Sequence, residues 1–505
     1  MVPGLSHVDQ VPLRPSDNAV GHFHQMWRDS PIDAPMIARF LPPWTLLAAF
    51  ALAATFLSGL PVYRALLLVI ALAAALMAIR SPGWAAVLLV GTPVVDAYGI
   101  IFSVPQVITV FQIVLVAAVV GGLRHVLRAR IERRQDAVTY QLRKRVTPWD
   151  IGILAFMLAA LVSLPLSEAP IRSLVAVVQL SMLLGMYAIV SRTSTDVVVH
   201  KAVVLTVVFM GAYSAILALI QVFGPWSLAP ALEFHPTGNE LVPLRASGFF
   251  LNPNTLGVML VLSTLLAMEH VLRSPPSTLR SIPHLLAAVL CLAGIAVTFS
   301  RAAFIGIVVG AVVLVILVAP KRPATWVQIA IVLLAITLVI PAWGTSERLA
   351  SFLDLRNDES AMDRVFLSQV SLEMFRDYPL TGVGISAFPI AYESYIDPRI
   401  TVQVTDGHQM PFSIPAETGF IGLVAMSLMV IALAARLRRI RRLSVSHELP
   451  VAAIAVSISL LFMSFFNTFL FFKSFWTTLA LVGSLFLLSG MDTGPNVRLT
   501  ESQEQ

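Results

Sequence analysis

The chain has 505 residues, 57% of them hydrophobic and 12% charged, with a mean hydropathy of +0.83. A water-soluble domain carries about 25% charged residues, so this composition excludes an ordinary soluble enzyme and implies an integral membrane protein. The formal charge of +6, from 34 Lys and Arg against 28 Asp and Glu, would suit nucleic acid in a soluble chain, but in a membrane chain the placement of the basic residues matters more than their sum.

Residues 1–41 are polar and contain prolines, with no apolar stretch behind a basic start. They read as a cytoplasmic tail without a cleaved signal peptide, and the first span then serves as the insertion signal. Each bilayer crossing takes about 20 apolar residues. A first membrane block, 42–122, holds apolar runs at 42–60, 63–79 and 100–122. A shorter stretch at 83–95, broken by Gly91 and Pro93, reads as a short span or a re-entrant piece. Residues 123–148 form a basic loop, and a second block, 149–341, holds runs at 149–166, 171–190, 199–224, 251–272, 281–299, 302–319 and 323–341. Segment 342–413 is too long for a mere connection. Within it Met362, Val365, Phe366 and Val370 recur at helical spacing, which predicts a short amphipathic helix near the membrane surface. Runs at 414–435, 449–469 and 472–490 close the chain before a polar tail at 491–505. The count is 14 spans, or 12 if weak ones merge; both are even, so both termini fall on one side. No repeat of 20–50 residues and no low-complexity tract is evident. Cys291, the only cysteine, lies in an apolar run, so the chain offers no intrachain disulfide and no cysteine-based metal site.

Basic residues set the orientation. Loop 123–148 carries eight of them, Arg124, Arg128, Arg130, Arg133, Arg134, Arg143, Lys144 and Arg145, and loop 436–442 carries five arginines. Alternating the spans from these two cytoplasmic anchors leaves only Arg64, Arg172, Arg245, Arg301 and Lys473 in the short outer connections. The long outer segment 342–413 holds five more basic residues beside ten acidic ones. The outer, periplasmic face therefore has one substantial extramembrane element, and the chemistry is expected there.

Arg301 is the most informative single residue. It interrupts an apolar stretch from 281 to 319, long enough for two crossings. An arginine at mid-membrane costs roughly 2.5–3.5 kcal/mol on the most lenient scale, so Ser300-Arg301 is expected at an outer turn. There Ser300 caps the next helix, whose positive end faces outward. An arginine beside a helix N-terminus makes a phosphate or pyrophosphate site; the plainer reading is an arginine snorkelling to lipid headgroups. Arg245-Ala-Ser-Gly-Phe-Phe-Leu-Asn252-Pro253-Asn254 follows the same logic, with Asn252 as N-cap, Pro253 at the first helical position and Arg245 facing a second outward helix end. The plainer reading is a well-capped helix with an arginine bound to loop carbonyls.

Of ten histidines, this topology places only His235 and His408 outside. A neutral His408 could take a proton from an attacking hydroxyl, although a lone loop histidine is more often a surface hydrogen-bonding group. Glu417 falls in the first turn of the next predicted helix, where a carboxylate is stabilising in any protein; the sharper alternative has it orient His408 or a substrate hydroxyl. Gly382-Val-Gly384-Ile-Ser-Ala387 invites a dinucleotide reading but lacks a βαβ context. Asp354, Asp358 and Glu359 have no metal-binding spacing, and the chain has no P-loop for an ATP-driven pump.

In this order the motifs resemble the O-antigen ligase and O-antigen polymerase superfamily. The matching pieces are Arg245-x-x-Gly248-Phe-Phe-x-Asn252-Pro-Asn254-x-x-Gly257, then Ser300-Arg301-Ala-Ala, then Pro379-Leu-Thr-Gly382-Val-Gly384, then His408-Gln-x-Pro with Glu417-x-Gly419-x-x-Gly422-Leu. They cover about 245 to 425, and Gln409 stands where family members usually have Asn or Ser. The resemblance implies an all-α polytopic protein of about 12–14 transmembrane helices, with a membrane glycosyltransferase (GT-C-like) architecture and a periplasmic loop that carries part of the site. It also implies a donor glycan on undecaprenyl pyrophosphate, with lipid A–core as acceptor for a ligase or a second carrier-linked glycan for a polymerase. Carried over by position, Arg245 and Arg301 match pyrophosphate-binding arginines, His408 a loop histidine proposed as base, Glu417 an acidic position, and Arg364, more loosely, a further arginine. Asn252, Asn254 and Ser300 complete the expected binding set.

The bottom-up chemistry agrees. Departure of pyrophosphate concentrates negative charge that arginines and helix N-termini can stabilise, so no metal or other cofactor is called for. The implied partners are the two glycan substrates and membrane lipids, with no nucleic acid. A ligase is the leading expectation, a polymerase the alternative, and a protein oligosaccharyltransferase is disfavoured because no large domain follows the last spans. A secondary transporter or flippase is the reading from a different class. It would place ionisable residues near mid-helix and show internal repeats, whereas here the distinctive polar residues cluster at outer helix ends.

Overall fold

The computed structural model describes residues 34–58, 60, 62–95, 100–102, 108–131, 146–224, 245–250, 252–273, 281–318, 359–395, 407, 409–444 and 451–489. The chain is an all-α polytopic membrane protein. Among the described residues nine helices are long and apolar enough to cross a membrane, and three shorter apolar helices accompany them. The run at 323–341 and both tails beyond 34–489 lie outside the described residues.

The first block comprises α1 (Ala34–Leu57), α2 (Tyr63–Arg80), the short α3 (Pro82–Gly91) and α4 (Val110–Ile131). Ser81 starts α3 as an N-cap, its Oγ accepting from Trp84 N–H, with Pro82 in the first turn. At 1.5 Å per residue the ten residues of α3 span about half a bilayer. The helix is buried almost throughout. The run at 100–122 does not begin as a helix. Ile100–Phe102 (β1) and Ile108–Thr109 (β2) pair as a two-stranded antiparallel ribbon, and α4 starts only at Val110.

The second block comprises α5 (Pro148–Ser163), α6 (Pro170–Thr193), α7 (Val197–Phe223), α8 (Pro253–Arg273), α9 (Ile282–Thr298) and α10 (Arg301–Val318). Then come α11 (Glu359–Asp377), the one-turn α12 (Phe388–Ala391), α13 (Met410–Ser444), α14 (Ala452–Met463) and α15 (Lys473–Ser489). The innermost helix is α8. Leu256, Val258, Leu260, Val261, Leu262, Leu265 and Ala267 are all fully buried, and α7, α9, α10, α14 and α15 surround them. Lipid gives apolar side chains no reason to prefer one another, so such a bundle is held by close packing. Gly257 illustrates it, since a Cβ there would come 2.7 Å from Ala303 Cβ. This close crossing of α8 and α10 holds together the helix starts one turn earlier, at Asn254 and Ser300.

Polar contacts separate the two ends of the bundle. At one end Thr147 caps α5 in a capping box with Asp150, whose carboxylate accepts from Thr147 N–H at 2.8 Å and from Tyr187 Oη at 2.6 Å and pairs with Arg192 at 3.0 Å. At the same end Glu269, near the C-terminus of α8, accepts from the backbone N–H groups of Val451 and Ala452 at 2.5 and 3.1 Å and pairs with Arg273 at 2.9 Å. The arginine-rich C-terminal parts of α4 and α13 belong to this end by chain order. The starts of α8 and α10 lie at the other.

Candidate active site

The site is built on the start of α8. Asn252 caps the helix, its Oδ1 accepting from Asn254 N–H at 2.7 Å, and Pro253 follows as the first helical residue. Asn254 Oδ1 then accepts twice, from Arg245 Nη2 at 3.1 Å and from Ser300 Oγ at 2.8 Å. Arg245 Nε donates to Thr298 O at 3.0 Å, so two points fix the plane of its guanidinium. Ser300 links this group to α10: its O accepts from Phe304 N–H at 3.0 Å and its Oγ from Ala303 N–H at 3.4 Å. The turn between α9 and α10 is sharp because Phe299 takes a left-handed conformation, φ 50°. Arg301 is therefore the first residue of α10, at the bundle end where α8 also begins.

A second layer covers this end. The inner face of α11, through Leu367, Val370 and Met374, packs with Val383, Ala387, Phe388, Ala391, Tyr392 and Ala416 into a small core of its own. The helical spacing of Met362, Val365, Phe366 and Val370 is thus split between two faces. Val370 is buried, whereas Met362, Val365 and Phe366 are exposed. Arg364 is half-buried. Burial, and next to it the positive charge of Arg301, hold its guanidinium below the usual arginine range, with Asp363 acting the other way. Arg364 therefore stands in the field of Arg301. Asp363 also acts on Tyr392, whose phenol is pushed up first by burial and then by that carboxylate.

Glu417 sits elsewhere than in a first helical turn. The helix begins at Met410, so Glu417 lies two turns in, just before a break at Gly419 with φ 65° and ψ −159°. The break leaves carbonyls and an N–H without helical partners, and segment 379–384 supplies them. Val383 N–H donates to Ala416 O at 2.9 Å, Gly384 N–H to Glu417 O at 3.0 Å, and Phe420 N–H to Pro379 O at 2.7 Å. A Cβ on Gly382 would strike the backbone of Glu417, and one on Gly419 the backbone of Leu380. The two glycine motifs are thus halves of one joint. The Glu417 carboxylate completes it, accepting from Ser386 N–H at 2.9 Å and Phe388 N–H at 3.4 Å. The same loop is tied to the α5–α6 connection through Glu168 N–H to Val383 O at 2.9 Å and to the first turn of α6 through Ser173 Oγ to Ile385 O at 2.7 Å.

His408 lies outside the described residues, as do His235, Asp354 and Asp358. Its neighbours are placed: Gly407 is buried, and Gln409 O accepts from Ser413 N–H at 2.8 Å at the start of α13.

Residues 286–427 match the family model described as O-antigen ligase. That segment, less than a third of the chain, is similar to the O-antigen ligase family. Comparison with curated proteins gave no match. The similar segment spans α9 to the upper part of α13 and includes Arg301, Arg364, His408 and Glu417. Arg245, Asn252 and Asn254 precede it in sequence, and the hydrogen bonds of Asn254 join them to Ser300 within it. The family supports glycan transfer of the O-antigen ligase kind by a membrane enzyme. One residue of this end escaped the sequence reading. Gln221, the only amide side chain in α7, holds the turn that follows Arg245.

Proposed function

We propose that this protein transfers a glycan from an undecaprenyl pyrophosphate carrier to a sugar hydroxyl of lipid A–core at the periplasmic face of the inner membrane. The observation that carries this reading is the gathering of Arg245, Asn254, Ser300 and Arg301 at two adjacent helix starts, with Arg364 held in the field of Arg301. Helix N-termini and guanidinium groups are both anion receptors. Two arginines close enough to repel suit a ligand carrying more than one negative charge.

In the proposed reaction His408 takes the proton of the acceptor hydroxyl as its oxygen bonds to the anomeric carbon. The bond from that carbon to the pyrophosphate oxygen breaks, and the leaving group departs with the electron pair. Arg301, Arg364 and Arg245 stabilise the charge that builds there. Asn254 and Ser300 hold Arg245 and the α10 start in register, and Asn252 caps the platform. Glu417 has the role of an anchor for loop 382–388. The pyrophosphate linkage supplies the driving free energy.

The test is transfer itself. Full-length protein in liposomes, given radiolabelled undecaprenyl-pyrophosphate-linked glycan and lipid A–core, is expected to move the label onto lipid A–core. Label arriving on a second carrier-linked glycan would identify a polymerase, and label that only crosses the bilayer a transporter. The sidedness has its own check. Reporters fused after residues 135 and 440 are expected in the cytoplasm, and those after 240 and 390 in the periplasm. A cytoplasmic signal at 390 would remove loop 342–413 from the periplasmic site.

A further inference from the structure

We infer that Gln221, a membrane-buried amide outside the matched segment, is a positioning residue for the anion site, setting the Arg245 guanidinium through the turn that follows it. The inference rests on the proposed role of Arg245. Gln221 is 3% exposed, two residues from the end of α7. A polar group at such a place is costly unless its hydrogen bonds are made. All of those observed go to one short turn. Gln221 Oε1 accepts from Ser247 N–H at 3.1 Å and from Gly248 N–H at 2.9 Å, and Nε2 donates to Gly248 O at 3.2 Å.

Gly248 needs that support. Its φ is +56°, and a Cβ there would lie 3.2 Å from Ser214 O, also on α7. The amide thus brackets one left-handed residue and fixes the backbone three positions beyond Arg245. On the other side Ala246 N–H donates to Val297 O at 3.0 Å and Arg245 Nε to Thr298 O at 3.0 Å. Residues 245–248 are therefore stretched between two helices, α7 through Gln221 and the end of α9 through its carbonyls. Without the Gln221 bonds, residues 245–248 are left with hydrogen bonds to the end of α9 and to Asn254, beside the packing of Phe249 on Tyr213. The bond from Arg245 Nη2 to Asn254, 3.1 Å long, is then the contact that shifts. A misplacement of about 1 Å can cost on the order of 10²-fold in a reaction that depends on alignment.

Farnesyl pyrophosphate is a suitable probe, because it presents the anion without a glycan or acceptor. Its dissociation constant is measured on the detergent-purified full chain. Gln221→Met keeps the length of the side chain and removes all three hydrogen bonds; it is expected to weaken binding about tenfold, a partial loss of alignment. The readout that separates positioning from general support is the double-mutant cycle. In an Arg245→Ala background Gln221→Met is expected to change nothing further. Should Gln221→Met fail to fold, Gly248→Ala strains the same turn and leaves the buried amide in place, and the same cycle applies. Additive losses with Arg245→Ala, or binding unchanged by a folded Gln221→Met or Gly248→Ala while Arg245→Ala weakens it, would overturn the inference alone. Wild-type binding by Arg245→Ala would instead overturn the anion-site role of Arg245, and the inference with it.

Discussion

Arg301→Lys is expected to lose glycan transfer by about 10²–10³-fold in kcat, the range seen when one donor to a developing anion is removed. Membrane insertion should be normal. The substitution keeps the positive charge but replaces a planar, two-pronged donor by a point charge. If Arg301 only snorkelled to lipid headgroups, lysine would serve as well. At the start of α10 the guanidinium stands at the positive end of the helix, and Arg364 adds a second charge nearby. An anion held there meets a planar donor, a helix end and a second cation together. Arg245→Lys is expected to behave similarly, for a reason visible in its contacts. Its Nε and Nη2 reach two different acceptors, Thr298 O and Asn254 Oδ1, which a single ammonium cannot do in the same geometry. The measurement is transfer of labelled glycan in liposomes at matched protein content. Full activity in Arg301→Ala would leave only the snorkelling role for that residue.

The membrane spans were legible because each needs a long apolar run, and the cost of a buried arginine placed Ser300-Arg301 at a helix boundary. The start of α8 was legible for a different reason. Asn-Pro-Asn is local chemistry, and its cap forms through Asn252 Oδ1 whatever the rest of the chain does. What failed to show depends on partners distant in sequence. Ile100 and Ile101 extend an apolar run, and periodicity does not separate a buried strand from a buried helix; only pairing with Ile108 and Thr109 decides it. In α11 both faces carry apolar side chains. Leu367, Val370 and Met374 follow a spacing as helical as that of Met362, Val365 and Phe366, and packing with Val383, Phe388 and Ala416 selects the inner one. Gly382-Val-Gly384 was visible as a motif but its purpose was not. It closes a break in a helix more than thirty residues downstream, and neither positive φ value is written in the local sequence.

His408→Gln is expected to lose about 10²–10⁴-fold in turnover, the usual contribution of a general base. Farnesyl pyrophosphate binding should survive, because the arginines remain. An amide can hydrogen-bond the acceptor hydroxyl but cannot take its proton, so Gln should be no better than Ala. In the wild type a protonated imidazole cannot act as base. The rate should therefore fall with decreasing pH, and this acid limb should vanish from the residual activity of His408→Gln. Glu417 supplies the contrast. Its two carboxylate oxygens accept backbone N–H groups from Ser386 and Phe388, and it is nearly buried, 9% exposed. In Glu417→Gln an NH₂ group would face one of those donors, leaving a buried group unsatisfied at a cost of about 1–3 kcal/mol. Its signature should be a lower melting temperature and a uniformly reduced rate, with the acid limb unmoved. Retained activity in His408→Gln, together with loss of the acid limb in Glu417→Gln, would reverse the two assignments. The base would then be the carboxylate at the helix break, and the loop hydrogen bonds would have to open for each turnover.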